Sequence, residues 1–213
     1  MEYKKQRKKL VELLKRERRI QSEKVEKAFL ETPRENFVPQ YLKKHAYIDT
    51  PLEIGNGQTI SAPHMVAIMA EALNIKKGEK ILEIGAGSGY HAAIISRLVG
   101  PEGHIYTIER FQKLAEEAQK NLQKTDIKNV TVITGDGSEG VKKFAPYDSI
   151  YVTCAAPEIP QPLIEQLKDN GKLLIPVGKM ICKLQLLEKK GEKTTIKDLG
   201  GCAFVPLVGK HGH

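Results

Sequence analysis

The residues best suited to chemistry lie in one stretch, residues 80–90, which reads KILEIGAGSGY. An apolar run ends near the acid Glu83, and glycines follow at every second position, at Gly85, Gly87 and Gly89. Glycines let a backbone turn tightly and approach a ligand closely. The next residues have a helical pattern, and the start of a helix offers free N–H groups that suit a carboxylate or a phosphate. The stretch therefore predicts a strand, a ligand-binding glycine turn and a helix.

The glycine spacing separates two classes of ligand. A dinucleotide-binding turn, G-x-G-x-x-G, needs glycine at position 90, where this sequence has Tyr90. The observed E-x-G-x-G-x-G pattern instead resembles the first motif of class I S-adenosylmethionine-dependent methyltransferases. Taken alone, the motif leaves open another nucleotide-binding turn or a tight strand–helix turn without a ligand.

Alternating strands and helices must position this turn. The pattern predicts an α/β fold with a doubly wound, mostly parallel sheet, Rossmann-like, preceded by a helical extension and followed by antiparallel C-terminal strands. After the glycine motif, strands are predicted over residues 104–109, 130–133, 147–152, 173–176, 183–188, 194–197 and 203–208. Helices are predicted over residues 1–19, from Ser22 to near Pro33, from the segment 57–65 through Leu73, over 111–124 and near 162–167.

Three acids follow successive predicted strands: Glu83, Glu109 and Asp136. In a doubly wound sheet the carboxyl ends of the first strands meet where the strand order reverses, and ligands bind there. Glu109 lies about 20 residues beyond the glycines, where such folds place the carboxylate that binds ribose hydroxyls. Asp136 also suits a turn, since it lies between two glycines. Three acids in register with the sheet favour a nucleoside site.

Composition and length limit the remaining possibilities. The chain has 213 residues, which fits one domain with a substantial core. The N-terminal residues are charged and contain no long apolar run, so neither a signal peptide nor a membrane span is expected. Cys154, Cys182 and Cys202 form no Cys-x-x-Cys pair, which predicts reduced thiols in a cytoplasmic protein.

The net charge of +8 is concentrated at the N-terminus. Residues 1–19 carry nine lysines and arginines against three glutamates, which leaves only +2 for the rest of the chain. Leu10, Val11, Leu13 and Leu14 form an apolar stripe on the same helix, so we expect it to pack on the body by that face. A solvated basic face is the ordinary interpretation, and RNA contact is the alternative.

Further segments resemble the protein-L-isoaspartate (D-aspartate) O-methyltransferase family. They are GQTISAPHM at residues 57–65, AYID at 46–49, APYD at 145–148, AAP at 155–157 and GKLLIPVG at 171–178. The resemblance runs from about Ser22 to Leu207, and Cys154 stands where the family more often has a small residue. We therefore predict one methyltransferase domain: a basic helix at 1–19 outside the resemblance, a covering region at 20–75 and a cofactor-binding core at 76–213.

The resemblance implies an enzyme of protein repair. It would transfer a methyl group from S-adenosyl-L-methionine to the α-carboxylate of isoaspartyl and D-aspartyl residues, leaving S-adenosyl-L-homocysteine and an ester that collapses to a succinimide. A carboxylate is already a nucleophile, so alignment and exclusion of water should suffice, without a general base or a metal. The expected partners are isoaspartyl peptides and proteins. Contact with nucleic acid is not expected, and the protein is expected to be a monomer.

The resemblance also assigns residues. Ser61 is the active-site serine, expected to orient the acceptor carboxylate, although a serine before Ala62 and Pro63 also suits a helix N-cap. The expected cofactor-binding residues are Gln58, Thr59, Ile60, Ser61, Glu83, Gly85, Gly87, Ser88, Glu109, Arg110, Asp136 and Gly137. His64 is either structural or turned to the cofactor. Cys154 is expected to be a buried thiol, because the Pro-Cys context of an RNA cytosine-5 methyltransferase is missing.

Two other functions stay open on the sequence alone. One is an RNA or small-molecule methyltransferase on the same fold, which would need a broad basic face on the catalytic body. The other is a non-catalytic module that binds S-adenosylmethionine or RNA without turning over an acceptor. Methyl transfer to an isoaspartyl peptide would distinguish both from a repair enzyme.

Overall fold

The computed structural model describes residues 2–179 and 181–213. The helices are α1 (Glu2–Arg16), α2 (Glu23–Glu31), α3 (Pro63–Leu73), α4 (Tyr90–Val99), α5 (Gln112–Lys124) and α6 (Gln161–Glu165). The strands are β1 (Leu52–Gly55), β2 (Gln58–Ile60), β3 (Lys80–Ile84), β4 (His104–Glu109), β5 (Val130–Thr134), β6 (Tyr147–Val152), β7 (Leu167–Gly178), β8 (Cys182–Lys190) and β9 (Lys193–Cys202).

The central sheet has the order β5-β4-β3-β6-β7-β8-β9. Strands β3 to β7 pair in parallel, and β8 and β9 are added antiparallel. The chain runs outward from β3 to β5 and then returns to place β6 on the other side of β3. This reversal opens a crevice at the carboxyl ends of β3, β4 and β6, where ligands bind in such sheets. The predicted fold class is confirmed.

The prediction of a last strand over residues 203–208 is wrong. This segment makes a single parallel bridge, between Ala155 and Pro206. The amide of Ala155 donates to the carbonyl of Val205 at 2.8 Å, and the amide of Leu207 donates to the carbonyl of Ala155 at 2.7 Å. Pro206 has no N–H to extend a ladder. The segment therefore lies across the chain that follows β6 instead of adding a strand to the sheet edge.

The N-terminal helices share the core of the sheet domain. Leu10, Val11 and Leu14 are buried in the same apolar cluster as Ile94 of α4, so packing of the α1 stripe is confirmed for these three residues. Arg7 anchors the same helix, because its guanidinium donates to the Tyr47 hydroxyl at 2.9 Å and to a backbone carbonyl of α2 at 2.8 Å. Helix α1 ends at Arg16, three residues earlier than predicted.

A hairpin precedes α3, in a region where the sequence predicted an ordered lead-in that could contain short strands. Strands β1 and β2 pair antiparallel around Asn56 and Gly57, whose φ angles are 52° and 68°. Two successive positive φ values are typical of a type I′ turn, which matches the twist of a two-residue hairpin. The hairpin brings β2, with Gln58, Thr59 and Ile60, to the carboxyl edge of the large sheet.

Candidate functional site: a cleft over the glycine turn

Glu109 and Thr153 hold the glycine turn in place. The Glu109 carboxylate accepts from the amide of Gly87 at 2.9 Å and from the amide of Phe111 at 3.1 Å. The Thr153 hydroxyl donates to the carbonyl of Gly85 at 2.6 Å. Gly85 has a φ of 95°, and a Cβ there would lie 2.4 Å from that hydroxyl, so a side chain is excluded. The turn is therefore fixed from two neighbouring strands.

A cleft of about 870 Å³, its open mouth included, lies over this turn. Most of the predicted site residues line it: Gln58, Thr59, Ile60, Ser61, Gly85, Gly87, Ser88, Glu109, Arg110 and Gly137. The hairpin, the glycine turn and the end of β4 thus meet around one cavity.

Glu83 lies beneath the cleft and does not line it. Its carboxylate is fully buried and accepts from the Thr107 hydroxyl at 2.5 Å. The other oxygen, Oε1, has no hydrogen-bond partner among residues 2–179 and 181–213. Burial raises the pKa of Glu83 to about 8, so the free protein holds this group as a carboxylic acid at neutral pH.

Asp136 is also outside the lining of the cleft, because the C-terminal tail occupies its carboxylate. Oδ1 accepts from the amide and the hydroxyl of Ser138 at 2.8 and 2.7 Å, and Oδ2 accepts from the amide of Lys210 at 2.8 Å. Partial burial opposes ionisation, but the bonds from Lys210 and Ser138 outweigh it and lower the pKa of Asp136. Asp136 therefore joins the strand end to the tail.

The tail forms one wall of the cleft, which the sequence reasoning missed. Its lining residues are Val205, Pro206, Leu207 and Val208. The next residues are held in place by the turn that follows β5, since the amide of His211 donates to the Ser138 hydroxyl at 3.0 Å. Residues 204–207 resemble the closing strand of the family, but the sequence did not indicate that they line the cleft, because that role depends on where the tail crosses the sheet.

His91 and Tyr90 begin helix α4 and also line the cleft. His91 is buried with its ring 4.7 Å from that of Tyr151, and neither ring nitrogen has a partner in the described part of the chain. Burial lowers the pKa of His91 to about 3, so the imidazole is neutral at pH 7. The buried guanidinium of Arg34 lies 4.8 Å from the centre of the Tyr90 ring. These residues give the cleft a polar, uncharged floor beside a buried cation.

Cys154 lines the cleft as a buried thiol. Burial, reinforced by the nearby carboxyls of Glu109 and Glu83, raises its pKa well above the usual range of a thiol. A thiolate, and not a thiol, is the nucleophile in cysteine chemistry. The interpretation of Cys154 as a small buried thiol is therefore confirmed, and the structure gives no support to a nucleophilic role.

Ser61 is not the N-cap of α3, so the alternative interpretation of this serine as a cap is wrong. Ala62 occupies the cap position without a side-chain hydrogen bond, and Pro63 begins the helix. Asp49, distant in sequence, supplies the missing acceptor: its Oδ1 accepts from the amide of His64 at 2.8 Å and lies 3.0 Å from the Nδ1 of the same residue. His64 is turned to Asp49 and is not among the lining residues. The Ser61 hydroxyl lines the cleft and makes no hydrogen bond within the described ranges.

This arrangement predicts which substitution weakens α3. Asp49→Ala removes the acceptor for a helix N–H and should lower the free energy of unfolding by about 0.5–2 kcal/mol. Ser61→Ala removes no cap and should change it by less than about 0.5 kcal/mol. Urea unfolding of both variants beside the unaltered protein tests the assignment. Equal losses in the two variants would contradict it.

The residues described contain no group of three or more His, Cys, Asp or Glu side chains that could hold a metal ion. Within the same residues, no helix is long and apolar enough to cross a membrane.

The sheet is doubly wound and ends in the antiparallel strands β8 and β9. Glu109, at the end of β4, holds the glycine turn. These features define a class I methyltransferase. The sequence profile described as protein-L-isoaspartate (D-aspartate) O-methyltransferase matches residues 5–212, and the chain belongs to this family. The match includes most of α1, so the prediction that residues 1–19 lie outside the family was wrong.

Individual relatives agree with this assignment. A protein-L-isoaspartate O-methyltransferase of Methanococcus aeolicus is 54% identical over 91% of this chain and 89% of its own. Protein-L-isoaspartate O-methyltransferase 2 of Archaeoglobus fulgidus is 50% identical over 100% of this chain and 97% of its own. A crystal structure from Plasmodium falciparum, a putative enzyme of this family in complex with S-adenosyl-L-homocysteine, matches with a TM-score of 0.85 and 28% identity over 94% of this chain and 97% of that chain.

Proposed function

We propose that this protein transfers a methyl group from S-adenosyl-L-methionine to the α-carboxylate of isoaspartyl and D-aspartyl residues in proteins. The observation that carries the proposal is the family match over residues 5–212, joined to a cleft in which Ser61 and the glycine turn face one cavity. The methyl ester formed on the α-carboxylate of the isoaspartyl residue would then collapse to a succinimide, from which normal aspartate can form.

The residues around the glycine turn fit the cofactor. The Ser88 hydroxyl is buried beside the turn with no partner in the part of the chain that the structure describes, so it is available to a ligand. The Glu109 carboxylate accepts two backbone amides, and a carboxylate has about four acceptor sites, which leaves capacity for two ribose hydroxyls. When bound, the cofactor supplies a methyl group on a sulfonium, an electrophile that needs no metal.

Ser61 is suited to the acceptor end of the cleft. Its hydroxyl has no hydrogen bond to give up among residues 2–179 and 181–213, so it can donate to an incoming carboxylate. The apolar tail residues from Val205 to Val208 form the neighbouring wall and exclude water from the reacting groups. The acceptor carboxylate is ionised at neutral pH and needs no base, which agrees with the neutral, buried His91. Catalysis then comes from alignment of the two reactants.

The chemical class of the product tests the proposed function. Incubation with methyl-labelled cofactor and an isoaspartyl peptide should give a label that mild base releases as methanol, because the product is a carboxyl ester. Labelled RNA, or a base-stable methyl group on any acceptor, would instead favour the rival methyltransferases. Cofactor binding without transfer to any acceptor would favour the non-catalytic module.

Asp136 remains among the residues that we propose to bind the cofactor, and the structure suggests how to test its contribution to binding. Asp136→Ala should raise the Kd of the cofactor about 5- to 150-fold, equivalent to about 1–3 kcal/mol for a lost charged hydrogen bond. Glu139→Ala is the matched control, since Glu139 pairs with the exposed Lys210 ammonium at 3.1 Å and not with the backbone of the tail. Titration calorimetry measures both, and an unchanged Kd in folded Asp136→Ala would remove Asp136 from the site.

A truncated chain separates a direct contact from an effect of the tail. Removal of residues 209–213 deletes the tail's partner for Asp136 and leaves the carboxylate intact. If Asp136 acts by holding the tail, the truncation should weaken cofactor binding as much as Asp136→Ala does. If Asp136 touches the cofactor itself, the truncation should have the smaller effect.

The monomeric state and the cytoplasmic location remain predictions. The cytoplasmic location rests on the three cysteines, which form no Cys-x-x-Cys pair in the sequence and predict reduced thiols. Nucleic acid is still not expected as a partner, because α1 uses its apolar face and Arg7 for packing within the domain.

A further inference from the structure

Two of the three cysteines face each other across neighbouring strands. Cys182 begins β8 and Cys202 ends β9, and the register of the antiparallel pair places them directly opposite one another. Directly opposed residues of an antiparallel pair have Cα atoms about 4.5–5.5 Å apart, with their side chains on the same face of the sheet. Disulfides join cysteines with Cα atoms about 4.4–6.8 Å apart. The backbone therefore already meets the first requirement for a bond between these two sulfurs.

The surroundings of the pair agree with this geometry. Cys182 is buried and Cys202 is half-buried, packed against the apolar core. The proximity of Cys182 contributes, after burial, to the raised pKa of the Cys202 thiol, which is about 11. An ion pair between Lys183 and Asp198, 2.8 Å apart, lies beside the cysteines and joins the same two strands. The exposed Ile181, next to Cys182, shows that this end of the hairpin lies at the surface.

We propose that Cys182 and Cys202 form a cross-strand disulfide when the protein meets a low-molecular-weight disulfide, and that Cys154 stays reduced. This modification is independent of the methyl-transfer activity. Cys202 directly precedes the tail whose residues 205–208 line the cleft, so the bond would fix the strand end from which that wall of the site begins.

The chemistry balances by two exchanges. The Cys202 thiolate attacks one sulfur of the small disulfide, forming a mixed disulfide and expelling one small thiolate. The Cys182 thiolate then attacks the Cys202 sulfur and expels the second small thiolate. Two protein thiols are oxidised, the small disulfide is reduced to two thiols, and the two protons end on those thiols at neutral pH. Because the pKa of Cys202 is raised, the reaction should be faster at pH 9 than at pH 7.

Mass spectrometry of the full-length chain tests the proposal. After treatment with oxidised glutathione at pH 9, the intact mass should fall by about 2 Da relative to the reduced protein, since two hydrogens are lost. Trypsin without reductant should then yield one linked species made of residues 180–183 and 198–210, which separates into two peptides on reduction. Cys154→Ala should still lose about 2 Da, whereas Cys202→Ser should not.

Thermal unfolding provides the second readout. The bond closes a loop of roughly 20 residues, which should raise the Tm of the oxidised protein by about 5 °C. The rise should be absent in Cys202→Ser, which serves as the main variant because Cys202 is half-buried and its replacement disturbs the core less than replacement of Cys182. A linkage through Cys154, or three cysteines that still react with an alkylating reagent once the oxidised protein is denatured, would overturn the proposal.

Discussion

Glu83→Gln should change how the stability of the cofactor-free protein depends on pH. Burial raises the pKa of Glu83 from 4.5 to about 8, so the folded protein keeps this proton while the unfolded chain loses it. The stabilising effect of the held proton is complete below pH 4.5 and is lost as the pH rises to about 8. Linkage gives a loss of about 3–5 kcal/mol in the free energy of unfolding over this window. The glutamine cannot ionise and should remove that loss.

The comparison is best made between pH 6.5 and 9, where about 2 kcal/mol of that loss remains to be measured. Below that range His91 affects the pH dependence of stability in the opposite direction. Its pKa is lowered from 6.5 to about 3 in the folded protein, so the free energy of unfolding rises with pH until the pH exceeds 6.5, the pKa of histidine in the unfolded chain. Glu117→Gln makes the same chemical change at an exposed position of α5 and should leave the pH profile unaltered. Urea unfolding at each pH gives the free energies. Parallel profiles for Glu83→Gln and the unaltered protein would show that Glu83 is ionised in the fold.

Ser61→Ala should cut the rate of methyl transfer by about 10- to 150-fold, the cost of one hydrogen bond to a charged acceptor. The fold should be preserved, since the Ser61 hydroxyl makes no hydrogen bond within the described residues and α3 is capped by Asp49. Cofactor affinity should change little, because the loss falls on the acceptor. Turnover with an isoaspartyl peptide, cofactor Kd and unfolding free energy, measured on one preparation, separate these effects.

Two further substitutions at Ser61 sharpen the interpretation. Ser61→Thr keeps the hydroxyl and should retain more activity than Ser61→Ala. Ser61→Asp should be less active than alanine, because a second carboxylate repels the incoming one and cannot donate a hydrogen bond when ionised. Aspartate activity above that of alanine would remove the orienting role from Ser61.

The sequence predicted those parts of the site that depend on local patterns. The glycine spacing and the acid about 20 residues later place Gly85, Gly87 and Glu109 around one turn, and a direct hydrogen bond joins Gly87 to Glu109 in the structure. Motif resemblance likewise placed Ser61 at the cleft. The same reasoning gave a sheet with parallel strands and a switch point, because strand periodicity and chain order suffice for that inference.

Features that depend on contacts remote in sequence were not predicted. The cap of α3 comes from Asp49, so a rule that looks for a serine beside the helix chose Ser61 instead. Asp136 meets the amide of Lys210, 74 residues later, and nothing in its Gly-Asp-Gly context indicates that partner. The tail also has the pattern of an apolar strand, since alternation cannot show that the Val205 carbonyl and the Leu207 amide both pair with Ala155. Tertiary competition for hydrogen bonds decided all three cases.

The most direct measurement is the initial rate of labelled methyl transfer to two synthetic peptides that are identical except for one linkage, isoaspartyl in the first and normal aspartyl in the second. Our account predicts transfer to the isoaspartyl peptide and almost none to its aspartyl twin, with Ser61→Ala slowing the first reaction. Equal rates on the two peptides, or transfer to neither by a folded protein that binds the cofactor, would contradict the assignment of this cleft to isoaspartyl repair.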